Sequence, residues 1–179
     1  MPDPAVPGKH IVLLGLMGSG KTTIGAGLAE HLRLLFIDSD DVLRSSTGRN
    51  AAEIGADDGV DALHAIEAET LLSCLGRHGS SVIAAAASVI ESPECRAALA
   101  DHTCLWFDAD AATLAVRQKR AGHRRELDDT EAELAALKRR RDPFYAALAL
   151  VRIDTAATDP DGALTAALEA SGFAGPRPA

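Results

Sequence analysis

The chain has 179 residues and a formal net charge of −8; its 47% hydrophobic content comes largely from alanine and leucine, with only four Phe, one Trp and one Tyr. That length predicts one domain, 1–179, able to bury a core around one sheet, and the acidic balance argues against a nucleic-acid surface. There is no basic-then-apolar leader, no apolar run of membrane-spanning length, and no C-x-x-C pattern around Cys74, Cys95 and Cys104, so the expectation is a soluble cytoplasmic monomer with buried thiols and no membrane partner.

Residues 1–9 carry three prolines without periodicity and read as a loose leader, as does the Gly/Pro-rich tail 172–179. The short apolar run Ile11–Leu14 ends at glycine, which fits a strand buried on both faces. Gly15-Leu16-Met17-Gly18-Ser19-Gly20-Lys21-Thr22 then reads G-x-x-x-x-G-K-T between that strand and a helical pattern. Glycines let such a loop turn its backbone N–H groups inward, and the following helix N-terminus adds partial positive charge. Lys21 reaches the outer phosphates and the Thr22 hydroxyl serves Mg²⁺, so this stretch predicts nucleotide binding.

Ile24, Leu28 and Leu32, four residues apart, predict a helix over 22–33, and 34–37 predicts a second buried strand. That strand ends in Asp38-Ser39-Asp40-Asp41, at the carboxyl edge where open α/β sheets bind ligands. One carboxylate there can hold Mg²⁺ through water while another accepts the proton of a substrate hydroxyl. Helix capping is the simpler use of the same residues, and both uses can coexist.

Residues 58–75 read as a helix with Leu63, Ile66, Leu71 and Cys74 to one side; His64 and Glu67, three apart, can touch. A third strand is expected over 81–85, turning at Ala86-Ala87-Ser88, then a helix from Pro93 to Leu99 and a fourth strand over 103–108. A helix over 111–120, a charged break over 122–129, a helix over 131–147 interrupted near Pro143, a fifth strand over 148–154 and a closing helix over 162–170 complete the chain. Strands alternating with helices through short junctions predict an α/β fold, a five-stranded parallel sheet with helices on both faces. Nine of the 18 basic residues fall between Arg117 and Arg141. In an acidic chain with a phosphate loop, such an island gathers phosphate charge, or else it forms two solvated helical faces.

These residues resemble the shikimate kinases, small P-loop kinases, over nearly the whole chain. The likeness runs through Gly15 to Thr23, Phe36-Ile37-Asp38-Ser39-Asp40, Thr47-Gly48-Arg49, Gly59 to Glu67, Val82-Ile83-Ala84, Pro93-Glu94 with Arg96, and the Arg-x-Pro-x-Tyr run Arg141 to Tyr145. The resemblance implies a nucleoside monophosphate kinase-like architecture, a mobile lid, and transfer of the γ-phosphoryl of ATP to a hydroxyl of a small acceptor. Carried over by position, Gly15, Gly18, Ser19, Gly20, Lys21, Thr22, Thr23 and Arg117 contact the nucleotide, and Thr22 with Asp38 serves Mg²⁺. Asp40 holds acceptor hydroxyls and acts as base, Arg125 is the lid arginine, and Arg141 clamps a substrate carboxylate. His64, Ala86 and Ala87 line the acceptor side.

The departures gather on that acceptor side. Ala86, Ala87 and Ser88 stand where the family has three glycines, and Leu63-His64 where it has phenylalanine and a carboxylate-binding arginine. Val60 replaces a glutamate, and Glu126-Leu127-Asp128 follow Arg125 in place of Pro-Leu-Leu. Added side chains should reshape the pocket, and a histidine cannot make the bidentate fork of an arginine. The expectation is therefore a kinase with an intact ATP half that uses shikimate poorly and turns over another polyol or cyclitol better. A gluconate-type kinase, hinted at by Arg120-Ala121-Gly122-His123, and a nucleotide-binding regulatory protein without phosphotransfer are the alternatives.

Overall fold

The computed structural model describes residues 8–120 and 131–172. Five strands, β1 (Ile11–Leu14), β2 (Leu35–Asp38), β3 (Ser81–Ala84), β4 (Thr103–Asp108) and β5 (Val151–Asp154), all run parallel in the order β2-β3-β1-β4-β5. The helices are α1 (Lys21–Leu32), α2 (Ser39–Thr47), α3 (Ala51–Asp57), α4 (Val60–Leu75), α5 (Pro93–Leu99), α6 (Ala111–Arg120), α7 (Glu131–Leu148) and α8 (Pro160–Ala170).

Strand alternation decides the layers. Ile11 and Leu13 pack with Ile24 and Leu28 of α1 and with Ala163 and Ala167 of α8. Val12 and Leu14 face the other way, into a cluster holding Leu71 of α4, Leu99 of α5 and Tyr145 of α7. Both faces are covered, so every residue of β1 is apolar. A satellite core of Leu43, Ile54 and Leu63 ties α2, α3 and α4 together beside the open edge of the sheet. Cys74, Cys95 and Cys104 are free, buried thiols, and burial pushes Cys104 up to about 12. No helix among the described residues is long and apolar enough to cross a membrane.

Two expectations need correction, and one helix was not foreseen. The second strand is not buried on both faces, because β2 is the sheet's edge: Leu35 is 57% exposed and only Ile37 is fully covered. The segment 51–57 is helical, opened by a capping box between Asn50 and Glu53 that satisfies two amide donors at once. Helix α7 runs through Pro143 without interruption. Proline removes one backbone donor, but on either side of it buried Arg141 and Tyr145 are fastened to Glu91 and to the Ala87 carbonyl, which holds the segment in place.

The phosphate-loop candidate is seated by a backbone contact. Gly15 has φ +141°, and a Cβ there would lie 2.1 Å from the Phe107 carbonyl oxygen at the end of β4. Gly15→Ala is therefore expected to lower stability by about 2–4 kcal/mol, read as a shift in the urea midpoint. An unchanged midpoint would contradict this packing.

Candidate active site

The carboxyl edge of the sheet opens into a cleft of about 880 Å³. Its walls come from the loop 16–20, the start of α2, the first half of α4, the turn after β3, and residues of α6, α7 and the segment after β5, with Gly15 behind the loop against β4. The switch in strand order around β1 produces this crevice, since the chain leaves β1 and β3 toward opposite faces.

On the nucleotide side, Gly20 takes a left-handed conformation (φ 96°) as the N-cap of α1, which points the first amides of the helix toward the cleft. Lys21 Nζ folds back to donate to the carbonyls of Gly15 at 2.7 Å and Leu16 at 3.0 Å. Burial pushes the Lys21 ammonium down to about 8, opposed by the carboxylates of Asp40 and Asp38 and assisted by the positive charge of Arg141. The Thr22 hydroxyl donates to Asp38 Oδ2 at 2.8 Å, and Asp38 Oδ1 accepts from the Asp40 amide at 3.0 Å. Asp38 thus caps α2 and faces the phosphate loop with its other oxygen, so the capping and functional uses coexist. Thr22 and Asp38 offer two oxygen donors side by side, the hard ligand type that suits Mg²⁺.

Arg117, on α6, lies against the loop from above. Its guanidinium donates to the Thr155 hydroxyl at 2.9 Å, to the Thr155 carbonyl at 2.6 Å and to the Gly18 carbonyl at 3.3 Å. The Thr155 hydroxyl also sits 3.0 and 3.1 Å from the carbonyls of Asp108 and Ser19, and Gln118 donates to the Met17 carbonyl at 2.9 Å. Thr155 and Gln118 were not among the residues picked out by the sequence. Their signal is a hydrogen bond across 38 residues or more, which no local pattern carries. Ser19 is buried and Thr23 exposed, both on the cleft wall.

On the opposite side, Asp40, His64, Glu67, Ala86, Ala87, Ser88 and Arg141 line the cleft. Among described non-glycine residues only Arg33 has positive φ, so Ala86, Ala87 and Ser88 hold backbone conformations open to any L-residue. Their side chains take up space without straining the turn. Ser88 Oγ donates to buried Glu67 Oε2, and Tyr145 Oη donates to the Ala87 carbonyl at 2.9 Å, pinning the turn from both sides. Arg141 is buried, and its Nη2 donates to Glu91 Oε2 at 2.8 Å.

The basic island divides. Arg117 and Arg141 line the cleft, whereas Lys138 pairs with Asp108 and with Asp142 at 3.2 Å, Arg140 pairs with Glu91, and Lys119, Arg120 and Arg139 are exposed. Arg124, Arg125 and the segment expected to form the lid, like the leader up to residue 7 and the tail from 173, lie outside the described residues.

The shikimate kinase family model matches residues 17–171. The shikimate kinase of Mycobacterium avium is 38% identical over 152 residues, 83% of this chain and 85% of that protein. The shikimate kinase of Symbiobacterium thermophilum is 37% identical over 150 residues, 82% of this chain and 86% of that protein. A solved shikimate kinase from Acinetobacter baumannii, in complex with shikimate, superposes with a TM-score of 0.80 at 27% identity, covering 93% of this chain and 91% of that one. A gluconokinase from Sinorhizobium meliloti shares the fold with a TM-score of 0.66 at 20% identity, covering 94% of each chain. With its phosphate loop, its acidic strand end and the greater part of its length matched, this chain belongs to the shikimate kinase family and is an ATP-dependent phosphotransferase with an alcohol group as acceptor.

Proposed function

We propose that the protein transfers the γ-phosphoryl group of ATP to a ring hydroxyl of shikimate or a closely related small polyol, acting as a monomer. The observation that carries this reading is one cleft holding Lys21, the Thr22–Asp38 pair and Asp40 together, with Arg117 on the nucleotide side and Arg141 on the acceptor side. A gluconate-type acceptor rests on fold likeness and on the short run Arg120-Ala121-Gly122-His123, and is the weaker reading.

Phosphoryl transfer leaves little covalent work to the protein, so positioning and charge neutralisation carry the reaction. Lys21 leaves the Gly15 and Leu16 carbonyls to neutralise the outer phosphates, while the loop amides and the α1 N-terminus hold them. Thr22 and Asp38 are the residues that would hold Mg²⁺, which when bound supplies further neutralisation of the phosphate oxygens. Arg117, braced by Thr155, flanks the nucleotide. Asp40 orients the acceptor hydroxyl and takes its proton as the acceptor oxygen bonds to phosphorus and ADP departs. Arg141 and His64 meet the far side of the acceptor. Arg125 is assigned to the transferred phosphate by its resemblance to the family's lid arginine.

Coupled ADP release with shikimate, quinate, gluconate and neutral cyclitols as acceptors tests the assignment. The expected result is turnover that depends on shikimate or a ring polyol and falls at least about a thousandfold in Lys21→Ala. Acceptor-independent ATP hydrolysis alone, or full activity in Lys21→Ala, would contradict it.

A pH dependence follows from Lys21. Its ammonium titrates at about 8 in the free protein against an ordinary value of 10.5, so between these values the free protein gains stability as pH rises while ATP binding weakens. Phosphates favour the charged form, so ATP binding at about pH 8.5 is expected to take up a fraction of a proton. Calorimetry in two buffers of unlike ionisation enthalpy should then give different apparent binding enthalpies, a difference that Lys21→Met removes. Equal enthalpies for the unsubstituted protein would contradict the depressed value.

A further inference from the structure

Arg141 has an internal partner that competes with an acceptor carboxylate for its guanidinium. Glu91 closes the short helical turn Val89–Glu91, directly after the Ala86-Ala87-Ser88 wall. Its Oε2 accepts from Arg141 Nη2 at 2.8 Å, and its Oε1 accepts from Arg140 Nε. Arg141 is 5% exposed, and its Nε is buried with no hydrogen-bond partner. On the side-on fork formed by Nε and Nη2, Nη2 is engaged by a carboxylate oxygen from the chain itself, and Nε is buried out of reach of solvent.

The charge of an incoming group decides how well this guanidinium receives it. A carboxylate finds Nη2 already engaged and Nε sealed, and it would place a second anion beside Glu91 on one guanidinium. A neutral hydroxyl meets no such conflict, since it carries no charge and needs a single donor. Burial pushes the Glu91 carboxyl up, but hydrogen bonds from Arg141 and Arg140 outweigh burial and hold it below its usual range, so it stays ionised at neutral pH. Glu67, 5% exposed, adds a further carboxyl to the same wall, where His64 lacks a guanidinium's fork.

Resting on the proposed kinase reading, we infer that Glu91 is a specificity-determining residue of the acceptor site: it engages Arg141 Nη2 and offsets the guanidinium charge, which biases the pocket toward acceptors presenting a neutral group there rather than a carboxylate. Glu91 acts through Arg141 and is a positioning residue.

The test compares shikimate with its neutral methyl ester in the unsubstituted protein, Glu91→Gln and Glu91→Thr. Both substitutions are expected to raise the ratio of kcat/KM for shikimate over that for the ester by about tenfold, the size of one charge-assisted contact, through KM and with little change in kcat. Calorimetric titration of each compound in the presence of ADP reads the same preference without turnover, as a roughly tenfold tighter shikimate Kd in the variants and an ester Kd that does not follow. An unchanged ratio, acid and ester moving together, or no shikimate binding to any of the proteins would overturn the inference. Failure of the kinase reading has a different signature: no acceptor-dependent ADP release from the unsubstituted protein, whatever the calorimetric preference.

Discussion

The close approach of the phosphate loop to the end of β4 is the constraint on which the rest of the site depends. Gly15 lies against the Phe107 carbonyl with no room for a side chain, and this fixes where the loop leaves β1. From there Gln118 takes the Met17 carbonyl, Arg117 takes the Gly18 carbonyl, and Thr155 approaches the Ser19 carbonyl. Three consecutive loop carbonyls are thereby turned toward partners on α6 and on the segment after β5. A loop whose carbonyls are engaged on one side is free to present its amides on the other, as phosphate binding requires. Neutral and cationic donors also leave the loop's positive potential intact, which is the preorganisation that binding an anion calls for.

Across the cleft the electrostatic balance changes. Asp38 is committed both to the α2 N-terminus and to Thr22, which keeps one carboxylate beside the loop hydroxyl. Asp40, one helical step on, lines the same cleft. Beyond it the acceptor wall carries Glu67 and, through Arg141, Glu91. The turn between these residues is fixed by Ser88 and Tyr145, so the alanine methyls at 86 and 87 sit on a wall held from two sides. Such a wall is suited to selecting by shape and by charge, since neither its backbone nor the buried Glu67 can relax cheaply around a different ring.

Much of this was legible in the sequence because it rests on local chemistry. The motif from Gly15 to Thr22, the strand Thr103–Asp108 and the helix Ala111–Arg120 each announce themselves by spacing, and the loop occupies the sheet edge expected of it. The capping box at Asn50 and Glu53 was equally local, but the short helix it opens offered too little periodicity to stand out. What escaped the sequence depends on contacts between distant residues. Leu34 to Ile37 looked like a buried strand because strand composition does not reveal sheet order, and β2 lies at the edge. Pro143 read as a break because the buried anchors at Arg141 and Tyr145 find their partners 50 and 58 residues away. Arg141 itself was carried over as a carboxylate clamp, and its ion pair with Glu91 is invisible along the chain for the same reason.

The central claim is that one half of the cleft binds ATP while the side chains and charge of the other half weaken its hold on an acceptor carboxylate. Initial rates of the unsubstituted protein over a full matrix of ATP and shikimate concentrations test it most directly. The account predicts that ATP saturates within the ordinary enzyme range, about 1 µM to 1 mM, whereas shikimate half-saturates only above about 1 mM. A shikimate KM in the low micromolar range, equal to or below that for ATP, would contradict it and show that His64, the Ala86-Ala87-Ser88 wall and Glu91 leave carboxylate recognition untouched.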